Sequence, residues 1–246
     1  MALSFTILYT KTMLSIVPTP LGNLQDITLR ALDTLKNADF ILCEDTRRTQ
    51  ILLTHFGISK PTVRYNENDE SSVRRCVELV RQGKNCALVS DCGTPCISDP
   101  GWKLVRQVAK EGLPITSLPG PSAAACALAG AGFTGGAFTF LGFLPRKPGK
   151  AAKLLAAAYG QKHPVIVYES PYRMIKLLEL IAATLGEMTP VVAAREISKV
   201  YEEWLRGTAL QVAEDLRHRK KVQGEFVVVI GLPETQEIQH DEDLSY

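Results

Sequence analysis

The residues best able to do chemistry lie together in Ser90-Asp91-Cys92-Gly93-Thr94-Pro95-Cys96-Ile97-Ser98-Asp99-Pro100-Gly101. The apolar run before it, Cys86-Ala87-Leu88-Val89, reads as a buried strand, and residues 102–111 after it read as a helix. Glycine permits positive φ and close approach of the backbone to a ligand, whereas proline fixes φ and withdraws a donor. Open α/β sheets bind ligands at the carboxyl ends of their strands, so a loop of this composition reads as a shaped ligand floor. A tight turn with a helix cap is the plainer alternative, and Asp99-Pro100-Gly101 alone would satisfy it.

Other strand ends carry similar clusters. Pro18-Thr19-Pro20-Leu21-Gly22-Asn23-Leu24 lacks the glycines of a dinucleotide fingerprint and the lysine of a P-loop, so phosphate cradling is not its reading. A ligand loop and a simple turn fit that segment equally. In Cys43-Glu44-Asp45-Thr46-Arg47-Arg48-Thr49 a cap at Asp45 or Thr46 explains the acid. It does not explain two arginines in a first turn, where the helix dipole disfavours them. Glu169-Ser170-Pro171-Tyr172-Arg173 reads as a helix start with Ser170 as cap and Pro171 at the first helical position, leaving Glu169 to face a ligand. Ala194-Arg195-Glu196-Ile197-Ser198-Lys199 gathers charge at one more strand end, followed by Tyr201-Glu202-Glu203-Trp204. Packing alone does not account for polar clusters at so many strand ends.

Strands and helices must alternate to position these loops. Strands are expected at 14–18, 40–43, 63–65, 86–89, 115–118, 138–143, 165–168, 191–194 and 226–230. Helices are expected at 26–36, 46–55, 69–82, 102–111, 122–131, 151–159, 171–185 and 207–219, with 144–150 a basic, proline-rich loop. Pro119-Gly120-Pro121-Ser122 divides the chain, giving two α/β domains, 13–118 and 119–233. Segments 1–12 and 234–246 are expected to be flexible extensions, with Met13 an alternative start.

Composition narrows the classes. The chain has 246 residues, with 46% hydrophobic and 22% charged, as in an ordinary globular protein. No apolar run has membrane-spanning length, and the leading residues lack the basic region and cleavage site of a signal peptide. A net charge of +2 means that any nucleic-acid site must be a local basic patch. Cys43, Cys76, Cys86, Cys92, Cys96 and Cys126 match no disulfide framework, and the pattern offers no metal site. Reduced thiols and a cytoplasmic location are expected.

The motifs resemble those of the ribosomal RNA small subunit methyltransferase I family, in the tetrapyrrole methylase-like superfamily. The resemblance rests on Val17 to Thr28, Cys43-Glu44-Asp45-Thr46-Arg47, the Ser90 to Gly101 loop, Pro119-Gly120-Pro121-Ser122-Ala123, Gly142-Phe143-Leu144-Pro145, Glu169-Ser170-Pro171 and Ala194-Arg195-Glu196, all in order. It implies two α/β domains with S-adenosylmethionine in the cleft between them, and a homodimer. It also implies 2′-O-methylation of a cytidine ribose in the decoding region of small-subunit (16S) ribosomal RNA, free or in the 30S subunit. By carry-over, Pro20, Gly22, Asp91, Cys92, Gly93, Ile97, Ser122, Ala123, Tyr168 and Glu169 would line the cofactor pocket. The chain departs from the family pattern at Cys92 and Cys96, where Ala and Leu are usual, at Trp102 for Tyr, and at Ile197-Ser198 for Leu-Thr. A further carboxyl-terminal helical domain of many members is expected to be missing.

Methyl transfer from a sulfonium releases a neutral thioether, so the reaction needs alignment and a proton acceptor rather than a leaving-group acid. Glu44, Asp45, Glu196 and a lowered-pKa Lys199 are the candidate bases, with Asp91 positioning cofactor or acceptor. Arg47, Arg48, Arg146, Lys147, Lys150, Arg173 and Arg195 are the candidate RNA contacts. A same-fold enzyme acting on a tetrapyrrole or other small acceptor is one alternative. A non-catalytic RNA- or cofactor-binding derivative is the other.

Overall fold

A computed structural model describes residues 14–133 and 136–233. The extensions expected at 1–12 and 234–246, and Met13, lie outside the described residues. Two compact units meet in the chain between Ser122 and Ala123.

The first unit is a parallel sheet of β1 (Leu14–Val17), β2 (Phe40–Cys43), β3 (Thr62–Arg64), β4 (Cys86–Val89) and β5 (Ile115–Ser117), in the order β3-β2-β4-β1-β5. Its helices are α1 (Leu29–Asn37), α2 (Thr46–His55), α3 (Glu70–Arg81) and α4 (Trp102–Lys110). Strands buried on both faces need apolar residues at every position, which is why β4 reads as an unbroken run. Successive side chains then serve different layers. Ile41, Cys43, Ala87 and Val89 pack with Ala31 and Leu35 of α1 and Leu53 of α2. Leu42, Cys86 and Leu88 pack with Val77 and Val80 of α3 and Leu104 and Val108 of α4. The unit is therefore doubly wound, with a helical layer on each face.

The second unit begins with α5 (Ala123–Ala131) and contains β6 (Thr139–Phe143), α6 (Pro148–Tyr159), β7 (Val165–Glu169), α7 (Met174–Leu185), β8 (Pro190–Arg195), β9 (Glu203–Thr208), α8 (Ala209–Arg217) and β10 (Phe226–Ile230). Its sheet order is β6-β7-β10-β8-β9, parallel between β6 and β7 and antiparallel elsewhere. One face carries α6, α7 and α8 over Val165, Val167, Ala193 and Val228. On the other face, α5 covers Ile166, Val192, Ala194 and Val229. The small Ala124, Ala127 and Ala131 let α5 approach the strands closely.

Most element boundaries match the sequence reading to within a residue or two, and five places differ for local reasons. The helix expected from 26 is a 3₁₀ turn, Leu24–Asp26, followed by α1 from Leu29, because the Thr28 hydroxyl accepts from the Ala31 amide and sets a new start. The expected loop at 144–150 ends early: α6 begins at Pro148, whose missing N–H costs a first helical position nothing. Pro171 does not start α7. Residues 170–173 form a turn in which the Arg173 amide donates to the Ser170 carbonyl, and the helix opens at Met174. A whole strand, β9, occupies 203–208, where no strand was expected. It displaces the start of α8 from 207 to Ala209, fixed by a reciprocal capping box between Thr208 and Gln211.

Candidate active site

The carboxyl ends of β1, β4 and β5 lie side by side in the first unit, and their loops are tied to one another. Thr19 and Gly93 exchange backbone hydrogen bonds of 2.9 and 3.0 Å, an isolated antiparallel bridge. The Thr19 hydroxyl donates to the Ser90 carbonyl at 3.0 Å, and the Ser90 hydroxyl donates to the Gly93 carbonyl at 2.9 Å. Cys92 Sγ lies 3.1 Å from the Leu21 carbonyl, and the Thr94 hydroxyl donates to the Pro121 carbonyl at 2.8 Å. Gly120 passes so close to Pro18 that a Cβ there would lie 2.7 Å from the proline Cβ. Pro20, Gly22, Asp91, Cys92, Gly93 and Ser122 thus belong to one fastened edge. Ile97, on the same β4 loop, is 45% exposed, an unusual setting for an apolar side chain.

The β4 loop carries the conformations its composition calls for. Gly93 (φ 80°) and Gly101 (φ 137°) use freedom that only glycine has cheaply, but Cys96 (φ 69°) and Ser98 (φ 64°) share the left-handed region without it. Strained backbone of this kind persists only where the surroundings hold it. One restraint is Glu67, whose carboxylate accepts from the Gly101 amide at 2.7 Å. The sequence reading quoted Thr19 and Thr94 within its loop motifs but gave their hydroxyls no role, and nothing in the sequence singled out Glu67.

At the end of β2, Asp45 caps α2 by accepting from the Arg47 amide at 2.9 Å, and it holds the Arg47 guanidinium with both oxygens. Those hydrogen bonds lower its pKa to about 2. Arg48 reaches across to Asp91 at 3.4 Å, linking the β2 and β4 loops. The two arginines that strained the helix-cap reading therefore have carboxylate partners. Glu44 is exposed beside them, and its carboxylate makes no hydrogen bond or ion pair among the described residues. Burial raises the Cys76 and Cys96 thiols to about 11 and the Cys86 thiol to about 12, so none of the three is a ready nucleophile.

In the second unit, Glu169 ends β7 and is 4% exposed. One of its oxygens accepts from the Ser170 amide at 2.7 Å and from Arg173 Nε at 2.8 Å. Tyr168 packs edge-on between Phe140 and Phe143. After β8, Glu196 adopts φ 51° and accepts from the Glu225 amide at 2.8 Å and from Lys199 Nζ at 3.1 Å. Lys199 also pairs with Glu225 at 2.9 Å. Burial works against both charges, yet the partners prevail: the Glu196 pKa is lowered and the Lys199 pKa is raised. A lysine acting as base at neutral pH needs the opposite shift, so the expected lowered-pKa Lys199 is corrected to a firmly charged one. Arg195 donates to the Gln223 and Tyr201 carbonyls and lies 3.5 Å from Glu203. Arg173 and Arg195 are thus committed to partners within the protein, whereas Arg146, Lys147 and Lys150 are exposed and make no ion pair among the described residues. Ala123 opens α5.

Among the described residues, no cluster of His, Cys, Asp or Glu has the makings of a metal site, and no helix is long and apolar enough to cross a membrane. The fold and its fastened strand ends define a class, a two-unit α/β protein with polar loops tied together at the carboxyl edge of a parallel sheet. The model of the Tetrapyrrole (Corrin/Porphyrin) Methylases matches residues 13–213, and the chain belongs to that family, among the proteins called ribosomal RNA small subunit methyltransferase I. The relative of that name from Hydrogenobaculum sp. is 44% identical over 226 residues, which cover 90% of this chain and 96% of the relative. The one from Thermotoga maritima is 44% identical over 222 residues, covering 89% and 97%. Those shares leave these two relatives little length for a further carboxyl-terminal helical domain. Uroporphyrin-III C-methyl transferase from Thermus thermophilus, solved in complex with S-adenosyl homocysteine, shares the fold at a TM-score of 0.61 and 17% identity, over 89% of this chain and 96% of that one.

Proposed function

We propose that this protein is an S-adenosylmethionine-dependent methyltransferase that 2′-O-methylates the ribose of a cytidine in the decoding region of small-subunit ribosomal RNA. The observation that carries this reading is 44% identity, along nearly the whole chain, to proteins named for methylating that RNA. The strand-end loops of the first unit suit the cofactor. They offer turned backbone groups, a carboxylate at Asp91 and an open approach at Gly22, where the side chain is only a hydrogen and the residue is exposed. Pro20, Gly22, Asp91, Cys92, Gly93 and Ile97 would hold it.

S-adenosylmethionine supplies an electrophilic methyl carbon and a neutral leaving group. The protein must then orient the ribose hydroxyl and accept its proton. Of the four candidate bases, Asp45 is committed to Arg47, and Glu196 and Lys199 to one another. Glu44 is the uncommitted one of the four, and we assign it the proton. Arg48 and Asp91 brace each other, so Asp91 would position ligand rather than titrate. Exposed Arg146, Lys147 and Lys150 would supply phosphate contacts, which give salt-dependent affinity and little sequence choice.

The same reading includes a homodimer at work in the cytoplasm. All six cysteines are free, as suits a reducing compartment. The test is incubation with tritiated S-adenosylmethionine and small ribosomal subunits that lack the modification, followed by nuclease mapping. Label on one cytidine ribose is expected. Cofactor binding by calorimetry without label would overturn the reading in favour of another acceptor or a binding-only role.

A further inference from the structure

Phe143 ends β6 and is 59% exposed, a large aromatic side chain left in solvent. It is held outward by two features. A register shift between Phe140 and Gly142, with Gly142 at φ 62°, re-aims the end of the strand. Tyr168, its in-register partner on β7, stands edge-on to it with ring centroids 5.7 Å apart. Tyr168 is braced in turn by Phe140 at 4.9 Å. The result is a supported ring with a free face, not a loose surface side chain. Because β6 and β7 are parallel, their carboxyl ends share one edge, and Tyr172, 86% exposed, lies just beyond the end of β7.

The segment that carries this ring holds charge of one sign, and Glu169, at the end of the neighbouring β7, is buried and paired with Arg173. From Gly112 to Tyr168 the chain has no Asp or Glu, and its cations include Arg146, Lys147, Lys150 and Lys153, all exposed. Arg146 and Lys147 follow Phe143 within the short connection to α6. Single-stranded nucleic acid is bound by this pairing of exposed aromatic rings for bases with cations for the backbone.

We propose that Phe143 is a base-stacking platform for an unpaired nucleotide of the RNA substrate, with Arg146 and Lys147 holding the adjoining phosphates. This assignment rests on the RNA methyltransferase reading and adds a contact that selects unpaired over duplex RNA, since a paired base has no face free to stack.

Three full-length proteins test it: wild type, Phe143→Ala and Phe143→Trp. Binding of unmodified small ribosomal subunits is measured by filter retention, and S-adenosyl homocysteine binding by calorimetry. Phe143→Ala is expected to weaken subunit binding about 5- to 150-fold, the range for loss of one stacked base. Its KM for subunits should rise in step while kcat changes by less than about twofold, the signature of binding lost equally from ground and transition states. Phe143→Trp should bind subunits as wild type does and add indole emission beyond that of Trp102 and Trp204, and the RNA should quench this added emission. Weaker S-adenosyl homocysteine binding with unchanged subunit binding would overturn the proposal and assign the ring to the cofactor's adenine. Unchanged values for both would reduce Phe143 to a surface residue. If wild type methylates subunits while Phe143→Ala matches it, only this inference falls. If wild type neither binds nor methylates them, the RNA reading falls with it.

Discussion

Gly101→Ala perturbs the β4 loop at the point where the structure allows least. Gly101 has φ 137° and ψ −28°, a region that L side chains rarely enter, and strain of this kind costs on the order of 1–3 kcal/mol. A Cβ there would lie 2.7 Å from Cys96 Sγ and 2.9 Å from Leu88 Cδ2. Leu88 is 1% exposed in the core and Cys96 is itself at φ 69°, so neither yields cheaply; overpacking adds about 1–3 kcal/mol. The sum is about 2–6 kcal/mol. At about 2–4 °C per kcal/mol for a chain of this size, the midpoint should fall by roughly 10 °C or more near the middle of that range. Urea unfolding followed by circular dichroism measures the loss. Adding Cys96→Ala removes one of the two clashes and none of the backbone strain, so a double-mutant cycle should return a coupling of about 0.5–3 kcal/mol. A Gly101→Ala protein within about 0.5 kcal/mol of wild type, the range of an ordinary surface change, would refute both the strained backbone and the close approach. A large loss that Cys96→Ala does not relieve would refute the sulfur contact alone. Because this loop is the proposed cofactor floor, S-adenosyl homocysteine affinity should fall in the same variant even at temperatures where it is fully folded.

Other outcomes follow from the same geometry. Glu44→Gln should lower kcat by about 10²–10⁴-fold in single-turnover methylation with cofactor binding intact; retention of full activity would remove Glu44 as the base. Asp45 should titrate near 2 in carboxylate NMR, and Asp45→Ala should lower the thermal midpoint through the lost cap, by more than Asp45→Asn does. Glu196 has a depressed pKa, so its stabilising contribution is full above the ordinary value of 4.5 and is lost as pH falls below it. Lys199→Met should therefore flatten the acid limb of the stability profile measured by thermal melts, and an unchanged limb would refute the pairing.

The alternation of strands and helices was legible because burial on both sheet faces imposes continuous apolar runs, as in Cys86–Val89 and Phe226–Ile230. β9 was not legible. Its residues, Glu203 to Thr208, lie at a sheet edge and are only partly buried, so no apolar run marks them. Helix starts failed where a side chain further along offered the better cap, as Thr28 does for α1. Such competition is decided by hydrogen-bond geometry that composition does not carry.

The strand-end clusters divide into two physical kinds that look alike in sequence. Around Asp91 and Gly93, hydrogen bonds join loops 71 or more residues apart, so the polar groups shape a surface shared by several strands. Around Glu196 and Lys199, the partners are the next turn and the neighbouring strand, and the charges neutralise one another. Both kinds place acids and bases at the carboxyl end of a strand, and only the partner of each carboxylate tells them apart. A carboxylate already holding a lysine and a backbone amide has spent its acceptors on the fold. The proton acceptor therefore belongs not in the richest cluster of charge but at Glu44, whose neighbours on either side are a buried cysteine and the aspartate that caps α2, and whose own carboxylate is left to the substrate.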